Sequence, residues 1–451
     1  MKIPRFVIAG ERSGVGKSLI TAGILLSLKE RGLSVQPFKA GPDFLDPMHH
    51  NIVTGNKSRN LDTWMFEESI LEIFLKASEK KDISVIEGVM GFYDGMDGVN
   101  EKGSTAHLSK LLKSPAILVL DSRGSARSLG AIAMGFQKYD PDVNIAGVIF
   151  NNIGSDKHLN YLKQSLRGVE CLGGIPRVKE KILDSRHLGL VPPDELYNPE
   201  KYEIIKGLVE DNVNIDRLIE ISKNAEELEY TGRSLFGKED KKIKIGVAFD
   251  NAFNFYYWDN FEILKSYGAD IEFFSPLTEK LPDVDGIYMG GGYPEIFAKE
   301  LEANKSLMAA VREKSEDEMP IYAECGSLMY LCKRIVNLDG KSFKMVGIFD
   351  ADIEMTERRQ ALGYAEVKVT KDNILSKNND IIRGHEFHYS RVSSLNEDNF
   401  AYEMKRGVGI QDGKDGLVSK KTIASYLHIH FATSPEIPQK FISSCLKYSK
   451  K

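Results

Sequence analysis

Gly10-Glu11-Arg12-Ser13-Gly14-Val15-Gly16-Lys17-Ser18 follows the apolar run Phe6-Val7-Ile8-Ala9 and precedes Leu19–Lys29, where apolar residues recur at helical spacing. A buried strand, a glycine loop, a Lys-Ser pair and a helix together make a phosphate cradle. Glycine lets backbone N–H groups turn toward an anion, and the helix N-terminus adds its positive end. Gly14, Val15, Gly16, Lys17 and Ser18 are therefore the expected nucleotide-binding residues. Lys17 is expected to reach the β- and γ-phosphates and Ser18 to hold Mg²⁺. Five residues, where the usual loop has four, separate Gly10 from Gly16.

Outward from the loop, strands alternate with helical stretches. Val35–Phe38 reads as a strand that ends in Lys39-Ala40-Gly41-Pro42-Asp43-Phe44-Leu45-Asp46-Pro47. In open parallel sheets function gathers at the carboxyl ends of strands. Lys39, Asp43 and Asp46 are thus expected where a nucleotide's metal would sit. Ile83–Ile86 is a further strand and delivers Glu87-Gly88-Val89-Met90-Gly91-Phe92-Tyr93-Asp94-Gly95. An acid at the tip of an apolar strand suits a Mg²⁺ ligand that reads a γ-phosphate. Ser18, Asp43 and Glu87 are the expected metal ligands. Ala116–Asp121 and Ile145–Phe150 read as two more strands, and the second ends in Asn151-Asn152. The Asn151 amide matches the edge of adenine; a turn or capping role fits it as well. The repeated alternation predicts a doubly wound α/β domain. Arg12 stands where partitioning-type switch ATPases carry a lysine, which speaks against such a switch.

At 451 residues the chain exceeds one ordinary core, so two or three domains are expected. Its 42% hydrophobic and 28% charged residues are those of a soluble globular protein. A net charge of −5 gives no electrostatic case for nucleic acid or an anionic membrane. No apolar run reaches the roughly 20 residues of a membrane span. Met1–Arg5 leads straight into the first strand, so no signal peptide is expected. The four cysteines are scattered, with neither metal-site spacing nor a disulfide framework. A reduced, cytoplasmic protein is the expectation.

Arg186-His187-Leu188-Gly189-Leu190 and the prolines after it close the first half; His187 suits a ligand contact or a plain surface role. Asp194 to Leu228 is charged and helical, and Glu229 to Lys242 is polar and unperiodic, as in a linker. The expected layout is a nucleotide domain over 1–193, a helical segment and linker over 194–242, and a second α/β domain over 243–451.

In that second domain Gly290-Gly291-Gly292-Tyr293-Pro294-Glu295 offers backbone N–H groups for an oxyanion, or a tight turn. Pro320-Ile321-Tyr322-Ala323-Glu324-Cys325-Gly326-Ser327 has the strand–turn–helix shape of a nucleophile elbow. The turn exposes the sulfur, and the helix N-terminus favours its thiolate. Ser425-Tyr426-Leu427-His428-Ile429-His430 places two histidines two apart, on one face of an expected strand. A thiol nucleophile needs an imidazole and a group that orients it. A metal site at His428 and His430 competes, without an evident third ligand. Arg383-Gly384-His385-Glu386-Phe387-His388-Tyr389-Ser390 supplies cations and aromatic faces suited to a polycarboxylate macrocycle, or forms a structural strand pair.

These motifs, together with Gly103-Ser104-Thr105-Ala106 and Phe253-Asn254-Phe255-Tyr256-Tyr257, occur in order over essentially the whole chain. In them the chain resembles the cobyrinic acid a,c-diamide synthase family. The resemblance implies a dethiobiotin synthetase-like phosphate-loop ATPase domain joined to a class I glutamine amidotransferase-like α/β domain. It implies that ATP phosphorylates a tetrapyrrole carboxylate and that glutamine-derived ammonia converts the acyl phosphate to an amide, at the c and a acetates. By motif, Asp43, Glu87 and Asp94 belong to the ATP, metal and carboxylate centre, with Lys39 beside them. Cys325 is the glutaminase nucleophile, His428 activates it, and His430 stands where related amidotransferases have glutamate. The expected cofactors are ATP and Mg²⁺. The expected partners are a tetrapyrrole polycarboxylate, glutamine and ATP, with neither nucleic acid nor membrane, and with a homodimer as a candidate assembly.

Two positions depart from the family pattern: Ser327 replaces the usual glycine of the elbow, and Phe44 the usual tyrosine. Methanogen relatives amidate nickel-sirohydrochlorin at the same acetates, and no residue separates the two substrates. A partitioning-type nucleotide switch and cobyric acid synthase are the alternative readings.

Overall fold

The computed structural model describes residues 1–178, 198–230, 232, 234–238 and 243–451. The chain divides into two compact units, Met1–Arg233 and Ser234–Lys451.

The strands of the first unit are β1 (Arg5–Gly10), β2 (Val35–Ala40), β3 (Arg59–Leu61), β4 (Ile83–Glu87), β5 (Ala116–Asp121), β6 (Ile145–Ile153) and β7 (Cys171–Pro176). They form one sheet in the order β3-β2-β4-β1-β5-β6-β7. Every pairing in it is parallel. β1, β4 and β5 are buried along their whole length, which is why they read as unbroken apolar runs and not as alternating ones. The described helices are α1 (Lys17–Glu30), α2 (Leu45–Thr54), α3 (Ile70–Ala77), α4 (Thr105–Leu111), α5 (Ser128–Tyr139), α6 (Asp156–Ser165), α7 (Pro199–Glu210) and α8 (Ile215–Lys223). Strands β3 and β7 lie at the two edges and escape sequence reading, one because it is only three residues long and the other because glycines interrupt it.

The helical segment expected between the domains is instead built into the first unit. Tyr202, Ile205 and Val209 of α7 and Leu218 of α8 share a core with Ile20, Ile24 and Leu28 of α1 and with Phe6 and Ile8 of β1. A side chain at Gly23 would put its Cβ 2.3 Å from Val209 Cγ2, so glycine lets α1 and α7 touch. The apolar stripes of α7 and α8 need that cover, and their charged faces gave the segment its linker-like composition. The far end of the expected linker docks on the second unit, where Leu235 is buried and its carbonyl accepts the Tyr267 hydroxyl at 3.2 Å.

The second unit contains β8 (Ile243–Ala248), β9 (Phe253–Phe255), β10 (Ala269–Phe274), β11 (Gly286–Met289), β12 (Gly291–Gly292), β13 (Ile321–Glu324), β14 (Cys332–Val336), β15 (Ser342–Lys344), β16 (Phe349–Met355), β17 (Ala361–Val369), β18 (Ile381–His388), β19 (Ser390–Leu395), β20 (Phe400–Arg406), β21 (Lys414–Ser419) and β22 (Thr422–Ser425). Nine of them make a mixed sheet, β10-β8-β11-β13-β22-β21-β20-β17-β18. Its half from β10 to β22 is parallel, and the rest is antiparallel. Helices α9 (Trp258–Ser266), α10 (Ala298–Ala303), α11 (Lys305–Glu316), α12 (Gly326–Leu331) and α13 (Glu436–Tyr448) complete the unit. Among the described residues no helix is long and apolar enough to cross a membrane.

Candidate active sites

In the first unit the glycine loop joins β1 to α1. Gly14 and Gly16 take left-handed φ values of 76° and 99°, a backbone that a side chain would strain. Lys17 is buried at the start of α1, and its ammonium donates to the carbonyls of Arg12 at 3.2 Å and Met90 at 2.5 Å. Phe92 N donates to Gly10 O at 2.8 Å, so the loop after β4 is tied to the phosphate loop. Thr105 of the Gly103–Ala106 motif laces the same loop, accepting from Val89 N at 3.0 Å and donating to Val89 O at 3.1 Å.

Ser18 at the start of α1 meets Lys39 and Glu87, which stand at the ends of β2 and β4. Ser18 Oγ donates to Glu87 Oε1 at 2.7 Å and to Asp46 Oδ1 at 3.2 Å. Lys39 Nζ lies 2.6 Å from Asp46 Oδ2 and 3.0 Å from Glu87 Oε1. Burial pulls the Lys39 ammonium down, but Asp46, Glu87 and Asp43 outweigh it and hold the group above the usual lysine range. Burial and Asp46 push the Glu87 carboxyl up, but Lys39 and His50 pull it below the ordinary glutamate value. His50 Nε2 is 2.7 Å from Glu87 Oε2 and belongs to this centre, although sequence reading passed it over. Its signal was the spacing on α2, since His50 follows Asp46 by four residues and shares its face.

Asp43 accepts from Asp46 N at 3.0 Å, at the start of α2. Asp94 is exposed at the far end of the loop after β4, where its carboxylate accepts from Gly91 N at 2.9 Å. Asn151 is taken up by the phosphate loop. Its amide donates to Val15 O at 2.8 Å and accepts from Asn152 N at 2.9 Å, which puts it beside the phosphate loop. Asp121, buried at the tip of β5, holds Arg12 at 2.9 Å and Arg123 at 2.6 Å. Burial raises its pKa, but the bonds from Arg123 and Arg12 outweigh this and hold the carboxyl well below the usual aspartate range. The donors of Ser18, Asp43, Asp46 and Glu87 are all oxygens, the set that suits Mg²⁺. His187 and the Arg186–Leu190 motif lie outside the described residues.

In the second unit Cys325 stands between β13 and α12 with φ 47° and ψ −101°. That strained strand-to-helix turn has the backbone of an elbow, and the thiol donates to Phe387 O at 3.6 Å. Burial, and then Glu295, push the thiol well above its ordinary pKa, against the expected pull of the helix N-terminus toward thiolate. Burial likewise lifts Glu295 to about 7. Gly292 N is 3.1 Å from where a Cβ on Gly326 would sit, so the glycine triplet and the start of α12 adjoin. Tyr256, from the Phe253–Tyr257 motif, donates its hydroxyl to Ala248 O and accepts from Gly290 N at 2.7 Å. Ser327 Oγ donates to Gly290 O at 2.5 Å. The departure from glycine in the elbow therefore adds a strut between elbow and triplet.

The two late histidines do not share a strand face. β22 ends at Ser425, and beyond it only an isolated bridge pairs His428 with His385. His428 Nδ1 is 3.2 Å from Glu324 Oε2. His430 Nε2 lies 3.5 Å from Asp259 Oδ2, and its Nδ1 accepts from Ala432 N at 3.2 Å. The two rings sit beside different carboxylates and so do not point at one shared ion. In the Arg383–Ser390 strip, Glu386 accepts from Val408 N and Gly409 N at 2.8 Å each, and the His388 ring stacks on Tyr426 at 3.7 Å. Those two side chains brace the fold. Arg383 is half exposed and pairs with Glu366 at 2.9 Å.

Residues 6–190 match the CobQ/CobB/MinD/ParA nucleotide binding domain, and residues 244–436 match the CobB/CobQ-like glutamine amidotransferase domain. Along nearly its full length the chain is similar to curated proteins named cobyrinate a,c-diamide synthase. It is 44% identical to that of Methanobrevibacter smithii over 96% of both chains. It is 42% identical to that of Archaeoglobus fulgidus, covering 99% of this chain and 98% of the relative. With that of Caldanaerobacter subterraneus it shares 41% identity over 99% of each. A nucleotide-binding cradle and a cysteine elbow, in this order and at this identity throughout, place the chain in the cobyrinate a,c-diamide synthase family.

Proposed function

We propose that the chain converts the a and c acetate carboxylates of a cobyrinate-type tetrapyrrole to amides, with ATP and glutamine as co-substrates. The observation that carries this reading is one chain holding both a phosphate cradle beside a buried lysine–carboxylate centre and a buried cysteine on an elbow. A carboxylate and ammonia do not form an amide unaided at neutral pH, because the oxygen is a poor leaving group. Transfer of the ATP γ-phosphoryl group to that oxygen yields ADP and an acyl phosphate. Ammonia then attacks the acyl carbon and expels phosphate. Free ammonia is scarce and mostly protonated, so a glutaminase supplies it. Cys325 attacks the glutamine amide carbon while His428 accepts the thiol proton and passes it to the departing ammonia. Water hydrolyses the resulting thioester to glutamate. Backbone N–H groups of Gly292 and Gly326 are the candidates for holding the oxyanion.

Ser18 and Glu87, with Asp43 and Asp46, would hold Mg²⁺, which supplies charge neutralisation at the β- and γ-phosphates. Lys17 and the loop amides of Gly14, Val15 and Gly16 bind the phosphates. Asp94, exposed on the adjoining loop, would meet the carboxylate substrate. The proposed domains are those of the two compact units, and a reducing cytoplasm is the setting that keeps the thiols free.

The test is mass spectrometry of the products from cobyrinic acid and, in a parallel arm, nickel-sirohydrochlorin, each with ATP, Mg²⁺ and glutamine. The expected result is two exchanges of hydroxyl for amine on cobyrinic acid, with one glutamate released per amide. No amide on either substrate would overturn the reading, and product from the nickel arm alone would reassign the tetrapyrrole.

A further inference from the structure

The second unit holds a carboxylate against His428 that the family resemblance does not supply. Glu324 is the last residue of β13 and directly precedes Cys325. The register pairs it with Ser425 at the end of β22, and Cys325 N donates to Ser425 O at 2.7 Å. The segment bearing His428 therefore leaves the sheet beside the strand bearing the nucleophile. Glu324 Oε2 lies 3.2 Å from His428 Nδ1, and each side chain is 1% exposed. The other oxygen accepts from Ile429 N at 3.2 Å and from the Tyr322 hydroxyl. The carboxylate is thus held from β13 and from the segment that follows β22.

The ring is fixed on its other sides as well. His385 stacks on it at 5.6 Å, and the two residues exchange backbone hydrogen bonds of 3.1 and 2.9 Å. A Cβ on Gly291 would sit 2.6 Å from His428 Cε1 and 3.3 Å from Nε2, so that edge faces the glycine triplet. A carboxylate on Nδ1 selects the tautomer with its proton there and leaves Nε2 as the base. Two residues beyond the catalytic histidine, where a carboxylate would orient it in related amidotransferases, His430 is turned to Asp259.

We infer that Glu324 is the positioning carboxylate of the glutaminase, supplied from the residue before the nucleophile, and that His430 has no part in orienting His428. When His428 takes the Cys325 proton it becomes an imidazolium, and Glu324 stabilises that charge until the proton leaves with ammonia. The inference rests on the glutaminase reading above, and a wild-type enzyme that releases no glutamate would sink that reading without testing this pairing.

The test compares full-length Glu324→Gln, Glu324→Asp and Asp259→Asn with wild type. Measured are kcat and KM for glutamine hydrolysis, the rate of Cys325 alkylation by iodoacetamide, the ammonia-dependent amidation rate and the thermal midpoint. Glu324→Gln is expected to lower glutaminase kcat toward the roughly 10⁴-fold loss of a disabled triad carboxylate, with KM within three-fold, and to slow alkylation. Glu324→Asp is expected to recover at least ten-fold of that loss, and Asp259→Asn to keep kcat within three-fold. The inference falls if Glu324→Gln keeps kcat within three-fold, if it changes KM alone, or if Asp259→Asn loses as much. It falls also if, in both Glu324 variants, the ammonia-dependent rate and thermal midpoint decline in step with glutaminase, since Glu324 would then be structural.

Discussion

Lys39 Nζ lies 3.0 Å from Glu87 Oε1, with both side chains only 1% exposed. Removing one partner of a buried pair strands the other charge and costs about 3–5 kcal/mol. Lys39→Met is expected to destabilise the first unit by that order in denaturant titrations. Lys39→Met/Glu87→Gln should cost less than the sum of the single changes. The sign with pH follows from the two shifts. Glu87 is held low, so its contribution is present above the ordinary glutamate range and is lost as pH falls. Lys39 is held high, so its contribution is present below the ordinary lysine value and is lost as pH climbs through the raised one. The double variant should flatten both limbs of the stability–pH curve.

Asp121 ties Arg12 of the phosphate loop to the tip of β5. Its folded pKa is depressed, so its contribution is present above the ordinary aspartate range and fades as pH drops through it. Asp121→Asn is expected to remove that acid limb and to raise KM for ATP several-fold, because the loop loses its anchor. Glutamine hydrolysis without tetrapyrrole should change little. Calorimetry across acid pH and ATP titrations check both.

Cys325→Ala removes the only atom proposed to attack glutamine. Glutamine-dependent amidation is expected to fall at least about 10³-fold, as when a nucleophile is deleted. Ammonium salt at alkaline pH should restore product, because the acyl phosphate forms without the thiol. A variant that is dead with both nitrogen sources would refute the division of labour.

Gly291→Ala would place a methyl group 2.6 Å from His428 Cε1. The ring must shift, and a displacement of about 1 Å can cost about 10²-fold in rate. Glutaminase kcat should fall by about that factor, with the thermal midpoint only slightly lowered. Steady-state kinetics of glutamate release decide it.

Much of this protein is legible because its core strands are buried on both faces. The runs Phe6–Ala9, Ile83–Ile86 and Ala116–Leu120 read as interior strands, and Glu87 at the tip of the second points to the centre it builds. The short edge strand Arg59–Leu61 carries no such pattern. Helices α7 and α8 were misplaced because solvent-facing charges outnumber the few residues they bury. Ser18 is legible from the glycine-loop motif and Lys39 and Glu87 from the strand tips, but His50 reaches Glu87 from a helix. That contact is tertiary, and its one local trace is the four-residue spacing from Asp46 on α2. The same limit explains His430, whose partner Asp259 lies on α9, far away in sequence.

The backbone at Cys325, with φ 47°, is one that glycine adopts freely and cysteine resists. Such a conformation costs of order 1–3 kcal/mol when a side chain must adopt it. Cys325→Gly and Cys325→Ala both lack the sulfur, yet only the glycine variant escapes the penalty, and it should be the more stable by about 1 kcal/mol. The enzyme thus gives up some of its resistance to heat to keep a reactive atom at the bend, and its least comfortable residue is the one it can least do without.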